Sequence, residues 1–482
     1  MIFNKKLAVA VSGAVLLMAG QFALADSTTD IVDALVSKGV LTEEEGKLIT
    51  KGAVSKAKAD EKANKSRISV GSFIDNATMY GDIRARYEKR EGKGNSLLTT
   101  NSEQAEVNRA RYKTTLGINT KSGNWYSDWA MSISTKGTSD NVTFGDTPVG
   151  AGTGMNPKTS SALLIKRAQI GWNVTDWLSI EAGRMANPLY SVNAMVFDRD
   201  IVFEGLQQKL KYKFGDVEVF GTVAEWFTGG NYNRTDGTTA TNPAQLFAFQ
   251  AGLKTPVMST ASFKGAMSLY DYHGTKTGTG FFSPQTQAAT NAQRITTTIA
   301  TGGNSLAQND LAILDIPVEL NFKTSADTGM KIYGEYANNL KGTDRADKAC
   351  AQATPSTNVC GLGNDHDAWL IGATFSSAKD LAGVESGKGK EGDWSGNLWY
   401  QSVGAYALDP SAVDSDIFDG RVNMEGTSFK GQYLIQDNVA FNFTGAWGTS
   451  KNRALGAGGS GGDLAINIRD YTLYQFDLTY KF

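Results

Sequence analysis

Three short stretches of this chain place a basic side chain at every second position: Arg84 and Arg86, then Arg109, Arg111 and Lys113, then Lys209, Lys211 and Lys213. Successive side chains of a β-strand point to opposite faces, so each stretch writes a cationic row along one face. The other face carries Ile83, Ala85 and Tyr87 in the first stretch, Ala110, Tyr112 and Thr114 in the second, and Leu210, Tyr212 and Phe214 in the third. Arg167 adds a further cation on another strand-like segment. Rows of this kind make and break no bonds. Lined up at close quarters they favour the passage of anions and repel cations. A plainer origin stays open, because any polar residue is tolerated on a face that merely borders water.

Groups that could do bond chemistry are sparse. The two histidines, His273 and His366, stand apart with no motif around either, so neither a base beside a nucleophile nor any catalytic residue is expected. Gly383 to Gly389 imitates a phosphate loop, but it has three residues between its first two glycines where four are needed, and a glycine follows Lys388 in place of Ser or Thr. Asp414, Asp416 and Asp419 have a spacing that could hold a hard cation, but the plainer reading of the cluster is a solvated acidic loop. Cys350 and Cys360, ten residues apart, are expected to form a loop disulfide if the chain is exported. Zinc would need more ligands than His366, Asp365 and Asp367 supply, so no metal and no cofactor is expected. With 47 basic against 49 acidic residues, the net charge of −2 gives no pull toward nucleic acid.

The elements that would position the cationic rows are legible at both ends of the chain. Tyr474, Phe476, Leu478, Tyr480 and Phe482 alternate with Gln475, Asp477, Thr479 and Lys481, so one face suits lipid and the other water. Lys5 and Lys6 precede an apolar run from Leu7 to Leu17, and Ala23-Leu24-Ala25 is a small-x-small site, which predicts a signal peptide over 1–25. No stretch approaches the roughly 20 apolar residues of a spanning helix, so insertion must be by strands. Residues 26–66 predict a helical hairpin and linker on the periplasmic side, from helical spacing at Ile31, Ala34 and Leu35 and a capping box at Thr42 to Glu45. Residues 67–482 predict an all-β, transmembrane antiparallel β-barrel of about sixteen strands, preceded by that short N-terminal helical segment.

The strands centre near residues 83, 112, 131, 168, 180, 210, 219, 249, 267, 318, 332, 371, 400, 429, 441 and 478. Tight turns at 122–124, 175–176, 215–216, 325–328 and 436–438 alternate with long polar segments, as in a barrel with short periplasmic and long outer connections. Residues 376–393 break this pattern, being long where a short turn is due. Charge facing lipid costs a few kcal/mol per residue near the midplane, so the basic rows must face the lumen if these strands span. Trp129, Trp172, Trp177 and Tyr480 are candidates for interfacial girdles.

The segment from Leu35 to Glu45, Arg109-Ala-Arg111, Gly183 to Pro188, Phe197-Asp-Arg-Asp-Ile201 with Glu204-Gly205, and Asp414-Ser-Asp416, in that order, resemble the putative porin family of Gram-negative outer membranes. The resemblance implies a sixteen-stranded pore in outer-membrane lipid, often a homotrimer, that passes small hydrophilic solutes by diffusion. It further implies that the third long loop, 187–201, folds inward as a constriction carrying Asp198, Arg199 and Asp200. Acidic residues there, opposite the arginines, would set a transverse field. The competing expectation is a structural or adhesive barrel with a filled lumen.

Overall fold

The computed structural model describes residues 74–95, 104–134, 140–144, 162–229, 244–273, 311–351, 360–377, 389–410, 412–455, 463–464 and 468–482. The segments expected to form a signal peptide and a helical hairpin, and the first residues assigned to the barrel, fall outside them. The described strands are β1 (Asn76–Gly94), β2 (Gln104–Ser122), β3 (Trp125–Ser134), β4 (Val142–Thr143), β5 (Ala162–Asn173), β6 (Leu178–Ala186), β7 (Val202–Phe214), β8 (Val217–Gly229) and β9 (Ala244–Met258). They continue as β10 (Ala261–His273), β11 (Ala312–Lys323), β12 (Gly329–Asn339), β13 (Asp367–Ser376), β14 (Trp394–Val403), β15 (Met424–Gln436), β16 (Val439–Ser450) and β17 (Ile468–Lys481).

Each strand pairs antiparallel with its neighbours, and β1 pairs with β17, which closes the sheet. The two-residue β4 joins β2 at Arg111 and Tyr112, beyond the end of β3, so it prolongs the row of β3 and the wall has sixteen strands. All sixteen strand centres expected from alternation lie inside observed strands. The connection between β13 and β14 is long, as read from the sequence, and its described end packs on the turn after β15, since Gly392 N donates to Leu434 O and Glu391 N to Asp437, both at 2.8 Å.

The seam shows why the register is fixed. Ile83 faces Tyr480, Ala85 faces Leu478 and Tyr87 faces Phe476, while Arg86 lies opposite Asp477. A slip of one residue would turn guanidinium groups into lipid and aromatic rings into the lumen. The terminal residue finishes the closure, since Phe482 N donates to Gly81 O and Gly81 N to Phe482 O, both at 3.0 Å. Only a residue without a side chain fits at 81, because a Cβ there would lie 2.5 Å from the Phe482 ring. Trp129, Trp172, Trp177 and Tyr480 are all exposed, and Trp125 stacks on Trp172 with centroids 5.6 Å apart.

Two features were not legible in the sequence: the helix after β12 and the apolar side chains inside the barrel. A helix α1 (Gly342–Ala351) follows β12, and its last turn is tied by a disulfide from Cys350 to Cys360, with the Cα atoms 4.7 Å apart. The barrel also holds an apolar core: Phe203, Trp226, Leu246, Tyr270, Ile313 and Tyr471 point inward and are buried.

Leu478, outward between Phe476 and Tyr480, should not tolerate charge. Leu478→Arg is expected to destabilise the folded barrel in lipid vesicles by about 2–4 kcal/mol, read by urea unfolding. A change within about 0.5 kcal/mol, the size typical of neutral surface sites, would place this face away from the hydrocarbon.

Candidate functional site

Two connections fold into the barrel, and composition explains why. Residues 187–201, between β6 and β7, carry Val192, Met195, Val196 and Phe197; residues 404–423, between β14 and β15, carry Tyr406, Leu408, Val413, Ile417 and Phe418. Outside, these side chains would sit in water. Inside, Phe197 meets Phe203 edge-on at 5.5 Å and Tyr270 at 4.9 Å, and Phe203 stacks on Trp226 at 3.7 Å. The buried backbone is satisfied as well. Tyr190 N donates to Gln250 Oε1 at 2.8 Å, Gln250 Nε2 donates to Tyr190 O at 2.9 Å, and Asp198 N donates to Ala412 O at 2.7 Å, which joins the two segments.

The second segment turns sharply at Phe418, Asp419 and Gly420, all at positive φ, a conformation that bulky residues seldom adopt. Packing holds it there. Phe418 is buried against Tyr471, and a Cβ on Gly448 would lie 2.5 Å from the Phe418 ring. The fully buried Asp419 accepts hydrogen bonds from Asp463 N at 2.9 Å and Leu464 N at 3.2 Å, and Arg421 Nη2 lies 3.2 Å from it.

This turn delivers carboxylates to the cationic rows. Arg86 holds Asp477 through Nε at 2.7 Å and Nη2 at 2.9 Å, and reaches Asp416 through Nη1 at 3.0 Å. Arg90 contacts the same Asp416 at 3.0 Å and Asp419 at 3.3 Å. Arg109 pairs with Glu88 and Asp463, while Arg111 lies 3.5 Å from Glu88. Arg84 bonds Asn141 and sits 3.8 Å from Asp477. Lys113 pairs with Asp140 at 2.7 Å and with Asp200 of the first infolded segment at 3.4 Å; Lys166 joins both carboxylates. Arg167 pairs with Asp128 at 2.6 Å, Lys209 with Glu181 at 2.5 Å and Lys211 with Glu218 at 3.2 Å. Lys213 and Arg199 are exposed.

The arginine row thus stands in the barrel wall facing inward, but it is a row of ion pairs. In the acidic loop at 414–419, Ser415 is exposed and Asp416 keeps 31% of its side chain in solvent, while Asp416 and the fully buried Asp419 are held by guanidiniums. Arg90 escaped the sequence reading although it continues the period of two begun at Arg84. Asp477 was legible as a water-facing residue of the last strand but not as the partner of Arg86, and Asp463 and Arg421 carried no local signal, because the closed barrel and its infolded turns bring them here.

Burial, with Asp414 and Asp200 nearby, pushes the Asp198 carboxyl up to about 7. Burial alone would also raise Asp416, but Arg86, Arg90 and Arg84 hold it well below the usual carboxylate range. Asp198 is the junction of the two infolded segments, accepting from Ser415 N at 3.1 Å and Ser415 Oγ at 3.2 Å.

A carboxyl raised in the folded state favours the fold when protonated and loses that contribution as pH rises through its folded value. The junction should therefore loosen between about pH 4 and pH 7, seen as rising open-channel noise, and Asp198→Asn should flatten the dependence; an unchanged profile in the variant would exclude Asp198 as the cause. Asp416→Asn leaves Arg86 and Arg90 undercompensated, so the reversal potential in a salt gradient should move in the anion-selective direction. No movement would mean that these charges lie off the ion path.

Residues 91–312, from the end of β1 through β10, match a family model described as putative porin. Among solved structures, the chain is similar to the outer-membrane channel DcaP of Acinetobacter baumannii, with 10% identity over 86% of this chain and 100% of that one and a TM-score of 0.40. It is also similar to Pseudomonas putida OprB, at 10% identity over 84% and 94% with a TM-score of 0.43. A loop L8 deletion mutant of OmpT from Vibrio cholerae gives 9% identity over 84% and 99% with a TM-score of 0.41. No curated protein matches. Over residues 91–312 the chain matches the putative porin family, and that match together with the closed β-wall indicates the bacterial outer membrane.

Proposed function

We propose that the barrel is a water-filled channel through which small hydrophilic solutes and ions diffuse passively, with no chemical step and no cofactor. The observation that carries this is solvent exposure at the constriction itself: the Asp200 side chain, reaching inward toward Lys113, is 55% exposed. A filled barrel would cover it. Water beside fixed charges of both signs suits polar solutes and disfavours apolar ones.

The lean toward anions read from the basic rows now has uneven support. Arg86, Arg90, Arg109, Arg111 and Lys113 are only 2–17% exposed and paired, whereas Lys209 and Lys211 are 39% and 66% exposed. Assembly as a homotrimer in outer-membrane lipid, as the family resemblance implies, is part of the same proposal. The structural reading, with an occluded lumen, draws on the apolar core that the infolded segments build inside the wall.

Planar-bilayer recording of the purified protein separates the two. Discrete, stable conductance steps in symmetric potassium chloride are expected. Folded, inserted protein that passes no current would establish the occluded barrel.

A further inference from the structure

Charge also stands on the outside of the wall. Alternation carried round from the seam through the paired strands puts Arg184 of β6 and Glu204 of β7 on the same face as Ile83 and Tyr87. The two lie opposite each other in register and bond one another, yet their side chains remain 36% and 58% exposed. Gln208, between the outward Leu206 and Leu210, and Glu225, between Val223 and Phe227, carry the polarity on across β7 and β8. This patch is not at the water boundary. β6 pairs with β5 only as far as Ala168, opposite Arg184, and β5 runs on toward the long loops with Ile165 and Leu163 exposed by 54% and 62%. Toward the short turn lie Leu178 and Ile180. Arg184 thus has apolar side chains beyond it in both directions, where lipid tails supply neither a hydrogen bond nor a counter-charge.

We infer that the outer face of β6 to β8 around Arg184 and Glu204 is where a second copy of this chain docks. The inference rests on the homotrimer reading above and adds the face on which the copies meet.

Charge complementarity selects the occupant. The base and the acid sit side by side around the wall, on neighbouring strands, rather than one above the other. Copies in one membrane share an orientation, so they are related by an axis along the membrane normal, and the β7 side of one meets the β6 side of the next. Glu204 then approaches the partner's Arg184, and the same contact repeats until the ring closes. An unrelated protein would need its own matching pair of charges at this height, whereas a copy carries it by construction. The existing ion pair does not oppose this, because an exposed pair exchanges partners readily. Relief at the patch fits as well. Ala168 and Ala182, the outward neighbours of Arg184, are short, so a second rigid wall can come close and give Gln208 and Glu225 polar partners in place of lipid.

The test uses the full-length mature protein in lipid vesicles at low protein density, with a short bifunctional thiol reagent. The native cysteines are bridged, so Gln208→Cys adds a single thiol on the proposed face. This variant is expected to give crosslinked dimers, and Leu398→Cys, outward and 54% exposed on β14 across the barrel, to give none. Adding Arg184→Glu, which sets acid against acid, should lower the crosslinked yield by about tenfold, and the exchange Arg184→Glu/Glu204→Arg should restore it. Should the reversed-charge variant fail to fold, the comparison of the two single-cysteine variants carries the test. An intact oligomer that gives no crosslink at Gln208→Cys, an equal crosslink at Leu398→Cys, or a yield indifferent to Arg184→Glu would each overturn this face and leave the homotrimer standing. A wild-type protein that is monomeric in the membrane would instead overturn the homotrimer reading, and this face with it.

Discussion

Placing guanidinium groups inside a barrel wall requires carboxylates from elsewhere in the chain, and this requirement organises the rest of the structure. Arg86 and Arg90 are almost without solvent, and a buried charge deprived of its partner is destabilising by about 3–5 kcal/mol. β1 itself carries Asp82 and Glu88 on the same face, of which Glu88 lies 3.8 Å from Arg86 and 3.5 Å from Arg90. The remaining counter-charges come from β17 as Asp477, from the turn at 414–419, from Asp463, and from Asp140 and Asp200. Closure of β1 on β17 and infolding of 404–423 are therefore coupled events: each completes an ion pair that the other leaves open.

Apolar burial acts along with this pairing. Phe197, Ile417 and Phe418 belong to connections, where an aromatic would ordinarily have no place to pack, yet all three are buried among inward side chains of β7, β8, β10 and β17. The lumen is divided by these contacts. On the side of β1 and β2 the infolded turns press charge against charge; on the side of β7 and β8 they leave a cavity and two solvent-open lysines. Fixed charge of both signs stays accessible to solvent here, with the Asp200 side chain 55% and the Lys211 side chain 66% exposed.

Strand identity and sidedness were written in the sequence because lipid enforces the period of two. Ile83, Tyr87, Phe476 and Leu478 have no other acceptable face, so their alternation survives without any knowledge of partners. The pairing of Cys350 with Cys360 was equally accessible, from their spacing. What sits inside the barrel was not. Phe203, Trp226 and Tyr270 interrupt an otherwise polar inner face, and nothing local says that Phe197 will cover them. Likewise Asp416 and Asp419 look like solvated loop carboxylates until the turn at Phe418 carries them to Arg90, more than 300 residues away in sequence. Local periodicity reports the solvent on each side of a strand, whereas the constriction depends on contacts between distant segments.

The central claim, that a continuous water path passes the two infolded segments, is tested most directly by thiol accessibility. The native cysteines are bridged, so Lys211→Cys would provide a single reactive thiol on the inner wall. In proteoliposomes, a small charged thiol reagent that cannot cross lipid should modify this residue when added from either side of the membrane. Modification from the short-turn side alone would show that the lumen is blocked at the constriction and would contradict the channel.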